Sequence, residues 1–216
     1  MSAAVMTRTS VNVDILPYAD VVITSLTKIF NGGCNAMGGS LIVNPNSKDY
    51  ARIHQALRNN FEGVLFPLDA QVLSENCIDY AARVRKCSAT ALDIASLLVD
   101  HPLVESVYYP TLVPSRAEYE QYRRAGEGYG YLLSVAFREP ASAVQFYDSL
   151  DVWKGASIGN NVTIALPYAV LAHWNEQDWA ASYGVPKHIV RLSVGLEAKS
   201  ELWATVVAAL GAVKVV

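Results

Sequence analysis

Three cysteines in 216 residues, Cys34, Cys77 and Cys87, are too few and too irregularly spaced for a disulfide framework. No C-x-x-C occurs, so a structural zinc site is excluded with it, and a reducing, cytoplasmic setting fits. Charge is sparse as well. Charged residues make up 17%, the net charge is −3 and the pI is near 5.8. No basic patch interleaved with aromatics is present, which argues against nucleic acid as a partner. No apolar run approaches the roughly 18 residues a membrane helix needs. The start of the chain has no apolar core of leader length, so no signal peptide is expected. Arg8 with Ser2, Thr7, Thr9 and Ser10 gives only a faint transit-peptide flavour, and a ragged start is expected instead. Short repeats and low-complexity segments are missing too. Asn161-Val162-Thr163 is a formal glycosylation sequon with no use in that setting.

Some familiar chemistry is absent. Gly126-x-Gly128-x-Gly130 precedes an apolar run instead of following one, the reverse of a dinucleotide-binding turn, so it reads as a hairpin-like turn. The four histidines, His54, His101, His173 and His188, assemble no metal set and no Ser-His-Asp triad. His173 lies in an apolar run and reads as a core or interface residue. Trp153, Trp174 and Trp179 read as packing residues.

What is abundant is apolar surface: 52% of residues are hydrophobic, which predicts a large core or a buried interface. Strand-like and helix-like patterns alternate. Short β-branched runs predict strands at 21–23, 40–43, 104–109, 131–137 and 189–194. Helical periodicity predicts helices at 48–60, 114–123, 141–150 and 199–210. The stretch 68–99 is predicted as one long helix or two nearly continuous ones, with Asp69 as its cap and Asp100-His101-Pro102 as its stop. Residues 1–10 carry no strong pattern and 151–168 reads as irregular. The alternation argues for an α/β fold with a smaller α+β part in the C-terminal half.

The chemically dense stretch is Asp20 to Asn44, DVVITSLTKIFNGGCNAMGGSLIVN. Two β-branched runs flank Ser25, Thr27 and Lys28, followed by Gly32, Gly33, Gly38 and Gly39. The glycines permit tight turning and close approach. A lysine at the end of a buried strand is partly desolvated, which favours the neutral amine able to form a Schiff base with a carbonyl cofactor. Two hydroxyls nearby suit phosphate oxygens. The same residues also read as a surface lysine in a strand-to-loop corner, its hydroxyls satisfying local backbone.

A second candidate is Arg191, in Ile189-Val190-Arg191-Leu192-Ser193-Val194-Gly195. An arginine on an apolar strand is costly unless paired. Its planar fork matches a carboxylate. The alternatives are a structural pair with Glu197 or a solvent-facing edge. Upstream, Gly159 in Ser157-Ile158-Gly159-Asn160-Asn161 would let a loop present backbone amides to a ligand.

Ser25-Leu26-Thr27-Lys28, with Asp20-Val21-Val22 before and Met37-Gly38-Gly39 after, resembles the lysine motif of the Cys/Met-metabolism enzymes that use pyridoxal phosphate (PLP). These include cystathionine γ-synthases, cystathionine lyases and homoserine sulfhydrylases. Arg-Leu-Ser-Val-Gly-Leu-Glu from Arg191 resembles the family's carboxylate-binding segment. Lys154-Gly155-Ala156-Ser157-Ile158-Gly159 and Thr-Ser-Leu-Thr-Lys-Ile-Phe-Asn-Gly around Lys28 are most similar to fungal cystathionine γ-synthases. The resemblance implies that Lys28 carries PLP, that Ser25 and Thr27 hold its phosphate, and that Ser157 and Arg191 bind an amino-acid substrate. It implies γ-replacement of an O-acylhomoserine by cysteine, towards methionine. A related PLP lyase, a homoserine sulfhydrylase or a non-catalytic subunit is the alternative. It implies part of an aspartate aminotransferase-like large domain at 1–101, ending in the long linking helix, then an α+β small domain at 102–216. It also implies a dimer or tetramer acting on small molecules, with no metal.

The resemblance covers about residues 11 to 210 and only the C-terminal half of a usual family member. The family places an aspartate against the PLP ring nitrogen some two dozen residues before the lysine. That window reads Met1-Ser2-Ala3-Ala4-Val5 and contains no acid. The glycine-containing phosphate loop, the ring-stacking tyrosine and the neighbouring subunit's contributions are absent from the stretch as well. The chain therefore reads as a truncated product or a gene fragment, and efficient turnover by it alone is not expected.

Overall fold

The computed structural model describes residues 2–6 and 10–214. Thr7, Arg8 and Thr9, which supplied most of the faint targeting signal, lie outside the described residues.

The first layer is a three-stranded sheet in the order β1-β2-β3. Strand β1 (Ala3–Met6) runs parallel to β2 (Val21–Ser25), and β3 (Gly39–Val43) is antiparallel to β2 with Val22 opposite Ile42. The predicted runs are thus strands, but not buried ones throughout. Val21 and Val22 are buried, whereas Ile23 is 39% exposed and Leu41 and Ile42 are each 45% exposed. Three strands cannot cover both of their own faces. Strand β1 had no sequence signal, because pairing with β2 and not its own pattern makes it a strand.

Asp20 ties this layer's corner. Its carboxylate accepts hydrogen bonds from the Ser2 amide (2.6 Å) and the Ser47 hydroxyl, and its carbonyl accepts from the Asn44 amide (2.8 Å). Those donors, Ser47 first and the Ser2 amide next, lower its pKa from 3.8 to about 2. A pKa lowered in the folded state stabilises above the unfolded value and loses that contribution as pH falls through the folded one. Protection of the β1 amides against hydrogen exchange, relative to their intrinsic rates, should therefore fall between about pH 4 and about pH 2. In Asp20→Asn the same protection should be low throughout that range, with no step.

Three helices follow: α1 (Tyr50–Asn60), α2 (Pro67–Asn76) and α3 (Tyr80–Val99). The long periodic stretch is therefore two helices, broken at Cys77-Ile78-Asp79. Pro67 opens α2 at its first position, so Asp69 sits in the first turn and does not cap it, correcting the expectation.

The second layer holds β4 (Val104–Tyr108), α4 (Arg116–Tyr122), β5 (Leu132–Phe137), α5 (Pro140–Ser149), β6 (Trp153–Lys154), β7 (Ile164–Pro167), α6 (Tyr168–Ala172), α7 (Gln177–Ser182), β8 (Val190–Ser193) and α8 (Lys199–Gly211). Its sheet order is β4-β5-β8-β7-β6, antiparallel except between β6 and β7. The irregular reading of 151–168 missed β6 and β7.

Helices α3, α5 and α8 cover one face of this sheet. Leu133, Val135 and Phe137 of β5 and Val190 and Leu192 of β8 point into that core with Ile94, Leu98, Phe146 and Val206. The strand period of two then places Arg191 and Ser193 on the opposite face. None of the helices among the described residues is long and apolar enough to cross a membrane.

Candidate functional site

The turn after β2 carries Lys28, half-buried. The turn is closed by the Asn31 amide on the Leu26 carbonyl (3.1 Å) and the Gly32 amide on the Lys28 carbonyl (2.8 Å). Its anchor is the next residue, Ile29, which is buried against Val84, Cys87 and Tyr131. The return limb is stitched to the turn by Thr27, whose hydroxyl donates to the Gly38 carbonyl (3.3 Å) and accepts from the Gly38 amide (3.1 Å). Thr27 has one proton, and it is directed to Gly38. Ser25, at the exposed end of β2 opposite Gly39, is the hydroxyl open to a ligand.

Behind the turn lies Arg83 of α3, only 5% exposed. It donates to the carbonyls of Ile29 (3.0 Å), Phe30 (2.8 Å) and Asn76 (2.7 Å) and pairs with Asp79. Asn76 in turn donates to the side-chain oxygens of Asn31 (2.7 Å) and Asn35 (3.0 Å). The break between α2 and α3 thus grips the lysine turn. The sequence reading missed Arg83. Like Arg191, it is a charge on an apolar face, on the stripe of Cys87, Thr90 and Ile94.

The Ser157 loop closes the other side. The Gly159 amide donates to the Ser193 hydroxyl (2.8 Å) and the Asn161 amide to the Gly32 carbonyl (2.9 Å). Gly159 has φ +69°, and a Cβ there would stand 2.7 Å from the Ile29 nitrogen. Only glycine allows this loop to press against the residue next to Lys28. Ser157 donates to the Asn160 side chain (3.2 Å). Ser193, unforeseen from sequence, is the post that holds this loop.

Arg191 shares a face of β8 with Ser193. Its guanidinium donates to the Ala156 carbonyl at the start of the same loop (3.3 Å) and lies over the Tyr168 ring, 5.1 Å from its centroid. Among the described residues it has no carboxylate partner. Glu197 instead accepts from the Thr163 amide (2.5 Å) and hydroxyl (2.7 Å), which removes the structural-pair alternative. Burial without an acid partner holds the Arg191 pKa below its usual range. A half-buried cation in that state is a receptor for a carboxylate. Cys87, near the turn, is no nucleophile: burial, with the Glu197 charge adding to it, pushes its thiol to about 12.

Lys28, the Ser157 loop and Arg191 are therefore brought together through Ile29, Gly32, Asn161 and Ser193. A lysine on an anchored turn, the Ser25 hydroxyl and a guanidinium without a carboxylate partner among the described residues fit the aldehyde and phosphate of PLP and a substrate carboxylate. The ring nitrogen finds nothing equivalent on the neighbouring strand. Of the window expected to hold the acid, Ala3, Ala4 and Val5 lie in β1 beside β2, and the strand's sequence, AAVM, contains no acid.

Comparison with known proteins gives the family. The family model for Cys/Met metabolism PLP-dependent enzymes matches residues 6–211. The cystathionine gamma-synthase-like protein ankD of Aspergillus thermomutatus is 62% identical over 90% of this chain and 34% of its own length. The cystathionine gamma-synthase of Neurospora crassa is 44% identical over 90% of this chain and 31% of its own. Among solved structures, cystathionine gamma-lyase from yeast superposes with a TM-score of 0.88 at 26% identity, covering 99% of this chain and 56% of that one. Cystathionine gamma synthase from Xanthomonas oryzae gives 0.83 at 26% identity, covering 98% of this chain and 55% of that one. The chain spans about a third of the length of the curated relatives it matches. Matched across nearly all of its described length, it belongs to the Cys/Met-metabolism PLP-dependent enzymes, a family acting on small-molecule substrates.

Proposed function

We propose that this chain carries the lysine and substrate-binding half of a cystathionine γ-synthase-like site, in which the cysteine sulfur replaces the acyloxy group on Cγ of an O-acylhomoserine, released as its carboxylate, towards methionine. The observation that carries the reading is the convergence of the Lys28 turn, the Ser157 loop and the unpaired Arg191. When bound, PLP supplies a carbonyl carbon for the lysine and an electron sink for the substrate. Lys28 would hold the cofactor through its amine, and that amine would move a proton between Cα and Cβ of the substrate. Ser25 would hold the cofactor's phosphate, and Thr27 would support it chiefly by holding the turn against Gly38. Arg191 binds the substrate carboxylate, with Ser157 beside it, and so fixes the angle of the Cα–H bond. The domain division at 101/102 and a cytoplasmic homo-oligomer belong to the same reading, with neither nucleic acid nor membrane as partner.

A second reading is a non-catalytic subunit that pairs with a longer relative. The lack of an acid on β1 and the uncovered faces of β2 and β3 favour it.

The test is reduction with borohydride after adding PLP, followed by peptide mapping. One adduct at Lys28, lost in Lys28→Ala, is expected. Label scattered over several lysines, or none, would overturn the reading.

A further inference from the structure

The residue that aims Lys28 lies outside the set assigned above. We propose that Arg83 is a positioning residue for Lys28, holding the turn that presents the amine. The inference rests on Lys28 being the reactive lysine.

A buried arginine is costly to keep and is retained where its donors are used. Here they converge on one short segment. Two go to the carbonyls of Ile29 and Phe30, the two residues directly after Lys28. A third goes to Asn76, and the Asp79 carboxylate offsets the charge. The segment gripped is a turn, not a strand, so no sheet ladder fixes it. Its own closing bonds are two, from the Asn31 and Gly32 amides. The Arg83 fork is therefore a main tie between the lysine backbone and the rigid helix α3.

The far edge of the fork meets the substrate loop. Arg83 Nε and Asn161 Oδ1 are both buried without a hydrogen-bond partner among the described residues. Both crowd the place where a side chain on Gly32 would begin, at 3.1 Å and 2.4 Å. Gly32, with φ +70°, lets turn, helix and loop meet there. Arg83 thus touches the lysine turn directly and borders the loop that carries Ser157. A lysine at this position keeps the charge but concentrates its donors at one point, and cannot span Ile29, Phe30 and Asn76 together.

Arg83→Lys and Arg83→Gln in the full chain test this by two readouts. The first is hydrogen exchange at the Asn31 and Gly32 amides, whose bonds close the turn. Exchange there should rise about tenfold or more, with the amides of β5 and β8 unchanged. The second is the share of borohydride-fixed PLP on Lys28 relative to all other lysines, which should fall by about the same factor. In Arg83→Ala, added methylguanidinium should restore part of both. Unchanged exchange and unchanged adduct selectivity in a folded Arg83→Lys would overturn the proposal. So would exchange that rises evenly over the whole chain, or failure of Arg83→Lys to fold, since either assigns Arg83 to general stability. A wild-type chain with no adduct at Lys28 defeats the cofactor reading instead, and the exchange readout still decides whether Arg83 holds the turn.

Discussion

Gly195→Ala is expected to lower stability by about 3 kcal/mol and to unseat the lysine turn without touching it. The reason is space, not backbone angle. A Cβ at 195 would stand 2.4 Å from the Val162 carbonyl carbon, 2.5 Å from the Thr163 nitrogen and 2.7 Å from the Asn161 oxygen. All three are backbone atoms, so no rotamer change relieves them. The two segments must separate. That breaks the bond from the Leu196 amide to the Asn161 carbonyl (2.8 Å) and from the Gly195 amide to the Thr163 hydroxyl (2.9 Å). Asn161 is the residue whose amide holds the Gly32 carbonyl, so the disturbance passes to the turn after Lys28. Thermal melting should show a drop of roughly 6–12 °C for a chain of this size. Fixation of PLP on Lys28 should fall in the same variant. Gly126→Ala is the control. Its φ is +77°, but nothing lies within 4 Å of the added carbon, so only the left-handed backbone opposes it, at about 1 kcal/mol. Equal losses in the two variants would refute the close-approach argument.

Much of this arrangement is legible in the chain because the signals are local. A run such as Val21-Val22-Ile23, ending in hydroxyls, a lysine and glycines, states its chemistry within one short stretch. The helices at 48–60 and 199–210 announce themselves by period, and the observed elements are Tyr50–Asn60 and Lys199–Gly211. What escaped is non-local. Strand β1 exists because Ala3–Met6 lies along β2, a pairing that its own alanines do not advertise. Strand β7 is four residues ending in Pro167, too short and too broken to show a period, and becomes a strand by pairing with β8. Ser193 passed as one more residue of an apolar strand, although its hydroxyl holds Gly159. Arg83 lay inside a correctly expected helix, where a charge among apolar positions was the available signal. The candidate site residues were suggested by local chemistry and by the family resemblance; the residues that hold them were hidden because their partners lie far along the chain.

Phe146→Ala is expected to cost about 3–5 kcal/mol, the range for removing a fully enclosed aromatic ring. Phe146 is 0% exposed and packs against Phe137 with ring centroids 4.9 Å apart, at the heart of the core under β5 and β8. The first sheet, from whose β2 the lysine turn leads off, packs a smaller cluster, whose buried members among the described residues are Ala19 and Val22. All four tryptophans lie between residues 153 and 203, at the surface of the half that holds this core, with Trp203 the least exposed at 39%, so their fluorescence comes from that half of the chain. Phe146→Ala should shift the tryptophan-detected denaturation midpoint by that full amount, and β2 exchange should accelerate with it. The dependence runs one way. Ile29 is buried against Tyr131, and Gly32 is held by Asn161, so the lysine turn leans on the second sheet. Val22→Ala, removing two methyl carbons, should cost about 1.5 kcal/mol and speed exchange in β1–β3 while leaving the tryptophan transition in place. A Val22→Ala shift as large as that of Phe146→Ala would mean the two sheets unfold as one. The unequal result would place the candidate site on a seam, with Arg191 and Ser157 set by a stable core. Lys28 would stand on a thin sheet whose order is borrowed through Arg83, Ile29 and Asn161. Anything that covers the exposed side chains of Ile23 and Leu41 should then sharpen Lys28 more than it sharpens Arg191.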